Sequence, residues 1–291
     1  MGKIRFSIIL LLIFTAFTAG IYLKEGVVDI FNNLGSQVKN FQQKDFTDIV
    51  LEFQKKVFTP SPLNVGGEEN QIVLLKSKII EETNLQRQQN RLPQLKENVF
   101  LNNASSAKAY DMFENQYFEH VSPLRVGPGE LVSSYGYEYI ITGENLILGN
   151  FSSEKQVLEN WMASPGHREN ILNNRYLEIG VAVVKGTYKG QTVWIGVQEF
   201  GLPLSACPQP SAEIKSQIDI NKEHLDDLLL QIDERKEQID HTPPVSAAYR
   251  HMVDDYNQLV AQYNSLAEQL KLEIANYNNQ ISIFNACVEG K

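Results

Sequence analysis

The stretch from Trp161 to Leu172 is the tightest constraint on how this chain folds. Ser164-Pro165-Gly166 breaks one helical pattern, and His167 stands directly after the break. Asn170, Ile171 and Leu172 then begin a new turn. A proline ring and its missing N–H do not fit a helix interior, so the chain must turn here. Upstream lie Gly143-Glu144-Asn145 and, further back, His120-Val121-Ser122-Pro123. Two histidines and one carboxylate, each beside a chain-bending residue, are the candidate chemistry.

The flanking patterns give that group a setting. Ile72, Leu75, Ile79 and Ile80 start a helix that runs to about Gln89, and Leu92-Pro93 ends it. A second helix is expected from about Asn102 to Phe118, with Asn102 or Asn103 as its cap. Tyr137 to Ile141 reads as extended; Gly143-Glu144-Asn145 interrupts, and Leu146 to Leu148 resumes an apolar run. Ser152 and Ser153 are candidate caps for a helix through Val157, Leu158 and Trp161. Leu177 to Val184 and Thr192 to Phe200 read as a hairpin around Tyr188-Lys189-Gly190. Helices first, a hairpin last and an extended segment between them argue for an α/β sandwich.

Before this domain, Lys3 and Arg5 precede an uncharged apolar run from Phe6 to Leu23. A bilayer-spanning helix needs about 17 to 25 such residues. Basic residues ahead of the run place that end in the cytoplasm, so the rest of the chain is exported. An uncleaved anchor and a cleaved signal peptide, with Thr18-Ala19-Gly20 as the cleavage region, both remain open. Val27, Phe31, Leu34, Val38 and Phe41, then Phe46, Ile49, Val50, Phe53 and Val57, recur at helical spacing. They are expected to form an amphipathic stalk. Thr59-Pro60-Ser61-Pro62 and Gly66-Gly67 read as a linker after it. The expected organisation is a membrane segment over 1–25, stalk and linker over 26–70, the central domain over 71–203 and a helical region over 204–291.

The net charge of −9 argues against a nucleic-acid partner, which calls for a basic patch, and against binding anionic membrane surfaces by charge. The His-Glu-x-x-His zinc spacing, the Gly-x-Ser-x-Gly nucleophile elbow and a phosphate-cradling glycine loop are all absent. Two imidazoles and a carboxylate do form a common zinc-ligand set. Read from residue types alone, His120, His167 and Glu144 are a metal-capable cleft, a hydrolytic site with Glu144 as general base, or a polar network that stitches loops together. Asn145, Arg168 and Asn170 are expected to fix the loops around them, and Trp161 to sit in the core.

The order of these motifs resembles the CAP superfamily, which covers cysteine-rich secretory proteins, venom antigen 5 and plant pathogenesis-related proteins. Helices, His-Val-Ser-Pro, Gly-Glu-Asn, Trp-x-x-Ser-x-Gly-His-Arg-x-Asn-Ile-Leu and a hairpin follow in sequence, as in the exported bacterial branch. The resemblance covers about residues 71 to 203. It implies an α-β-α sandwich with a cleft lined by His120, Glu144 and His167, in which the histidines can hold a divalent metal, often zinc. Many animal and plant members carry a second acid that falls near Ser164 here, and this chain lacks it. The domain disulfides of the family are absent too.

In the last region, Ile214, Ile218, Leu225, Leu228, Ile232 and Ile239 follow heptad spacing. After His241-Thr242-Pro243-Pro244, the pattern returns with Met252, Tyr256, Leu259, Tyr263, Leu266, Leu270, Tyr277 and Phe284. This is the pattern of an antiparallel coiled-coil hairpin. Folding it back brings Cys207 toward Cys287, and outside the cytoplasm a disulfide there is plausible. It closes a loop with a nominal chain-entropy effect of about 4.5 kcal/mol. Two free thiols and a bond between chains are the alternatives. Three functions are in play: binding of a lipid or other envelope ligand in the His/Glu cleft, metal-dependent hydrolysis of an envelope substrate, and protein interaction through the hairpin.

Overall fold

A computed structural model describes residues 54–244 and 246–291. The segment Phe6–Leu23 and nearly all of the expected stalk lie outside the described residues. Among the described residues no helix is long and apolar enough to cross a membrane.

Two compact units are present. The larger comprises residues 54–216 with Ile274–Lys291. Its chain order is β1 (Lys56–Phe58), β2 (Leu63–Gly66), α1 (Lys76–Gln89), β3 (Lys96–Glu97), α2 (Val99–Glu114), α3 (Pro128–Ser134), β4 (Tyr139–Gly149), α4 (Glu154–Ala163), α5 (Pro165–Ile171), β5 (Glu178–Tyr188) and β6 (Gln191–Pro203). The sheet order is β1-β4-β6-β5-β3, with β2 also on β4. Strands β4, β6 and β5 are antiparallel neighbours, while β1 and β2 run parallel to β4.

Strand alternation sorts the core into two layers. On one face Leu146, Leu148, Val193, Ile195 and Val197 pack with Ala109 and Met112 of α2. On the other, Ile147, Ile179, Val181 and Phe200 pack with Ile79 and Ile80 of α1, Val157, Leu158 and Trp161 of α4, and Ile171 of α5. Helices on both faces of one sheet give the expected α/β sandwich.

Several local expectations change. Gly143-Glu144-Asn145 does not interrupt a strand; it lies inside β4, which is buried along its whole length. The glycine is what lets the strand pass: a Cβ at Gly143 would stand 2.9 Å from Asn170 Oδ1 and collide with the Tyr176 hydroxyl. Asn98, not Asn102 or Asn103, caps α2 by accepting from the Phe100 and Leu101 amides. Ser153 caps α4 as expected. Pro165 opens α5 at its first turn, where a missing N–H costs nothing. The Thr59 to Gly67 region is not a free linker, since β1 and β2 flank Pro60 and Pro62 and pair with β4. Val57 belongs to β1, not to a helix.

After a short 3-10 turn (Leu204–Ala206) come α6 (Ala212–Asp240) and α7 (Ala247–Glu289). Cys207 and Cys287 are joined, with Cα atoms 5.7 Å apart. Around the bond, Phe284 and Val288 pack into the larger core and Arg175 Nη2 donates to the Val288 carbonyl at 2.6 Å. The second unit comprises Gln217–Glu273. Its two helices run antiparallel, joined by Asn221 Nδ2 donating to Glu273 Oε2 at 2.8 Å and by the Arg235–Asp255 ion pair.

Candidate functional site

Alternation along β4 sends Glu144 and Asn145 to opposite faces of the sheet. Each finds a different set of partners there.

Asn145 joins a buried polar network that holds the Trp161–Leu172 stretch against the sheet. Its Nδ2 donates to the His167 carbonyl and to Gln198 Oε1, both at 3.2 Å. Asn170 Nδ2 donates to Asn145 Oδ1 at 3.0 Å, and the Tyr176 hydroxyl donates to Asn170 Oδ1 at 3.3 Å. Gln198 Nε2 reaches Thr83 Oγ1 at 2.8 Å. Arg87, fully buried, donates to the carbonyls of Pro93, Ile171 and Asn173 and so ties down the end of α5. Asn145 and Asn170 therefore fix loops, as their residue types suggested, and Trp161 lies in the core. Arg168 does not join them; it is exposed, because α5 turns His167 and Asn170 inward and leaves Arg168 and Glu169 outside.

On the other face, Glu144 is 0% exposed and meets His120, whose Nδ1 lies 2.6 Å from Glu144 Oε1. His120 Nε2 lies 2.5 Å from the carbonyl oxygen of Pro60. A carbonyl only accepts, so Nε2 carries a hydrogen and donates it. Both ring nitrogens of His120 are engaged. Lys108 of α2, 2% exposed, supports the loop by donating to the His120 carbonyl at 2.7 Å and to the Tyr117 hydroxyl. Burial lowers the pKa of this amine, and the charge of Glu144 opposes the shift.

Glu199 is the site residue that the motif reading missed. It pairs in register with Glu144 across β4 and β6, and it too is 0% exposed. Taken as carboxylates, Glu144 Oε2 and both Glu199 oxygens have no hydrogen-bond donor. Burial, then the adjacent charge of Glu144 and a hydrogen bond to it, hold the Glu199 pKa well above the usual carboxylate range. A proton on one Glu199 oxygen, donated to Glu144 Oε2, satisfies two of these three oxygens. The signal for it was present in β6: Val193, Ile195 and Val197 face the core, and the next residue in that alternation is a glutamate.

His167 is 1% exposed and its Nδ1 lies 2.8 Å from Ser164 Oγ. Its Nε2 has no partner of ordinary geometry. Burial first, then the positive charge of His120, lower its pKa to about 4, and the Leu146 backbone opposes this. The structure thus gathers His120, Glu144 and Glu199 into one bonded group, with His167 close enough to feel the charge of His120. Ser164, where the family resemblance implies an acid that this chain lacks, holds the His167 ring through its hydroxyl.

The expected divalent metal does not fit these donors. A ligating imidazole must present a lone pair, and His120 presents none, since Nε2–H is donated to Pro60 and Nδ1 is held by Glu144. Among the described residues no group of three His, Cys, Asp or Glu side chains is arranged to hold an ion.

Residues 80–200 match CAP, the cysteine-rich secretory protein family. The Bacillus subtilis protein YkwD, itself described as uncharacterized, is 38% identical over 127 residues, which are 44% of this chain and 46% of that one. The B. subtilis membrane protein YlbC, also uncharacterized, is 29% identical over 38% of this chain and 32% of its own length. The chain thus spans less than half the length of the curated relatives it matches. An extracellular SCP-domain protein of Bacillus anthracis is a structural neighbour at 28% identity and a TM-score of 0.38, covering 43% of this chain and 39% of that one. The match over 80–200 carries His120, Glu144, His167 and Glu199, and this region of the chain is a CAP domain of the cysteine-rich secretory protein family.

Proposed function

We propose that this protein is held at the membrane by residues 6–23 and works outside the cytoplasm, where its CAP cleft binds a ligand of the cell envelope without turning it over. The observation that carries this reading is the state of His120. A general base needs a free lone pair within reach of a substrate proton. His120 has none, Glu144 is buried beneath it, Glu199 is held protonated, and His167, though its Nε2 is unpartnered, is 1% exposed and out of a substrate's reach. The description of YlbC as a membrane protein supports the location.

The test uses the purified full chain in detergent micelles, with fluorescein-labelled casein as a peptidase probe and with zinc present and absent. The reading expects no turnover above that of the Glu144→Gln variant. Turnover that disappears in Glu144→Gln would overturn it in favour of a hydrolase. Retention of the chain in the membrane fraction after an alkaline wash checks the tether, and quantitative release contradicts it.

A further inference from the structure

Residues 56–66 cross the site as an interrupted edge strand. Phe58 pairs with Gly143 and Leu63 with Ile147, so four residues, Thr59 to Pro62, stand opposite only three, Glu144 to Leu146. Pro60 and Pro62 have no N–H to give to a ladder, so pairing lapses where the histidines lie. The lifted segment is then held by its carbonyls. Asn170 Nδ2 donates to the Phe58 carbonyl at 3.2 Å and His120 Nε2 to the Pro60 carbonyl at 2.5 Å. The Pro60 ring sits over Gly166, where an added Cβ would stand 2.7 Å from Pro60 Cβ.

The segment's side chains divide: Leu63 and Val65 of β2 pack partly buried on the core, whereas those of β1 do not. All three residues of β1 are exposed, Val57 and Phe58 among them. Main-chain pairing with a strand edge, two carbonyls caught by side chains and a few apolar seats, for Pro60, Leu63 and Val65, make a way of reading an extended polypeptide chiefly through its backbone. A segment held this way is replaceable by another of the same form.

We infer that the β4 edge between Gly143 and Gly149, with His120, Asn170 and Gly166, is a binding groove for an extended, proline-containing polypeptide, occupied in the resting chain by its own residues 56–66. This rests on the binding reading above and names its ligand class. The ligand enters parallel to β4, places a carbonyl on His120 Nε2 and seats a proline ring on Gly166, displacing the resident segment.

The experiment places a site-specific protease sequence between Gly67 and Glu68, in an exposed stretch. The full chain is cut in micelles, and a fluorescent synthetic peptide of residues 54–67 is added. The expected result is saturable binding of the peptide with release of the 1–67 fragment, at least about tenfold weaker in His120→Ala, which removes the hydrogen bond to the ligand carbonyl. A fragment that is never released, or equal affinity in His120→Ala, overturns the inference. In the uncut chain, amide hydrogen exchange is expected to be faster at residues 56–66 than at Val193–Gln198. Equal protection makes the segment an integral strand and also overturns it. Casein turnover would sink the binding reading while leaving peptide exchange intact, so the two failures are distinguishable.

Discussion

Glu144 and Glu199 face each other across neighbouring antiparallel strands with no solvent exposure, and a proton held on Glu199 and shared with Glu144 lets both stay buried. Glu199→Gln keeps the shape and removes the group that must remain protonated. A carboxyl whose folded pKa is raised stabilises the fold below its unfolded pKa, and that stability is lost as pH rises toward the folded value. The variant is therefore predicted to gain melting temperature relative to the natural chain between about pH 5 and about pH 8. Thermal unfolding at both values checks this; a difference that does not change with pH contradicts the shared proton.

His167 has the opposite sign. Its folded pKa of about 4 lies below the ordinary 6.5, so its contribution is full above 6.5 and is lost as pH falls through 4. The shift corresponds to about 3 kcal/mol of stability over that window. His167→Gln is predicted to be less stable at neutral pH and to show a shallower loss between pH 6.5 and 4. Denaturant melts across the window measure it, and parallel curves for the two proteins would count against a neutral buried imidazole.

The Cys207–Cys287 bond ties the end of the CAP domain to the last turns of α7. Reduction, or the double Cys→Ala change, is predicted to cost about 2–4 kcal/mol. Loss of the bond frees the Phe284 and Val288 contacts before the sheet melts. Urea unfolding with and without a reductant tests this, and coincident curves would show that packing alone holds the helix end.

Much of this was legible in the sequence, and the failures share a cause. The helix break at Ser164-Pro165-Gly166, the Ser153 cap and the β5–β6 hairpin are local features, set by residues near in the chain. The fate of Thr59 to Gly67 is not. Two prolines and two glycines read as a linker until β4, some 80 residues on, supplies the strand they pair with. Gly143-Glu144-Asn145 read as an interruption because a polar triplet inside a buried strand is tolerable only where partners such as Asn170, Gln198 and Glu199 converge from elsewhere. Glu199 carried a signal in the alternation of β6, but its role depends on register with Glu144, which periodicity does not specify. His120 was found as a site residue and assigned to a metal; the Pro60 carbonyl that occupies it comes from the segment read as linker.

The claim on which the account turns is that His120 is already spoken for. Nitrogen NMR of the full chain, carrying labelled histidine and proline, tests it most directly. The account predicts a protonated His120 Nε2, coupled through its hydrogen bond to the Pro60 carbonyl and unchanged when zinc is added. An unprotonated Nε2, or one that moves to a metal-bound position on zinc addition, would contradict it.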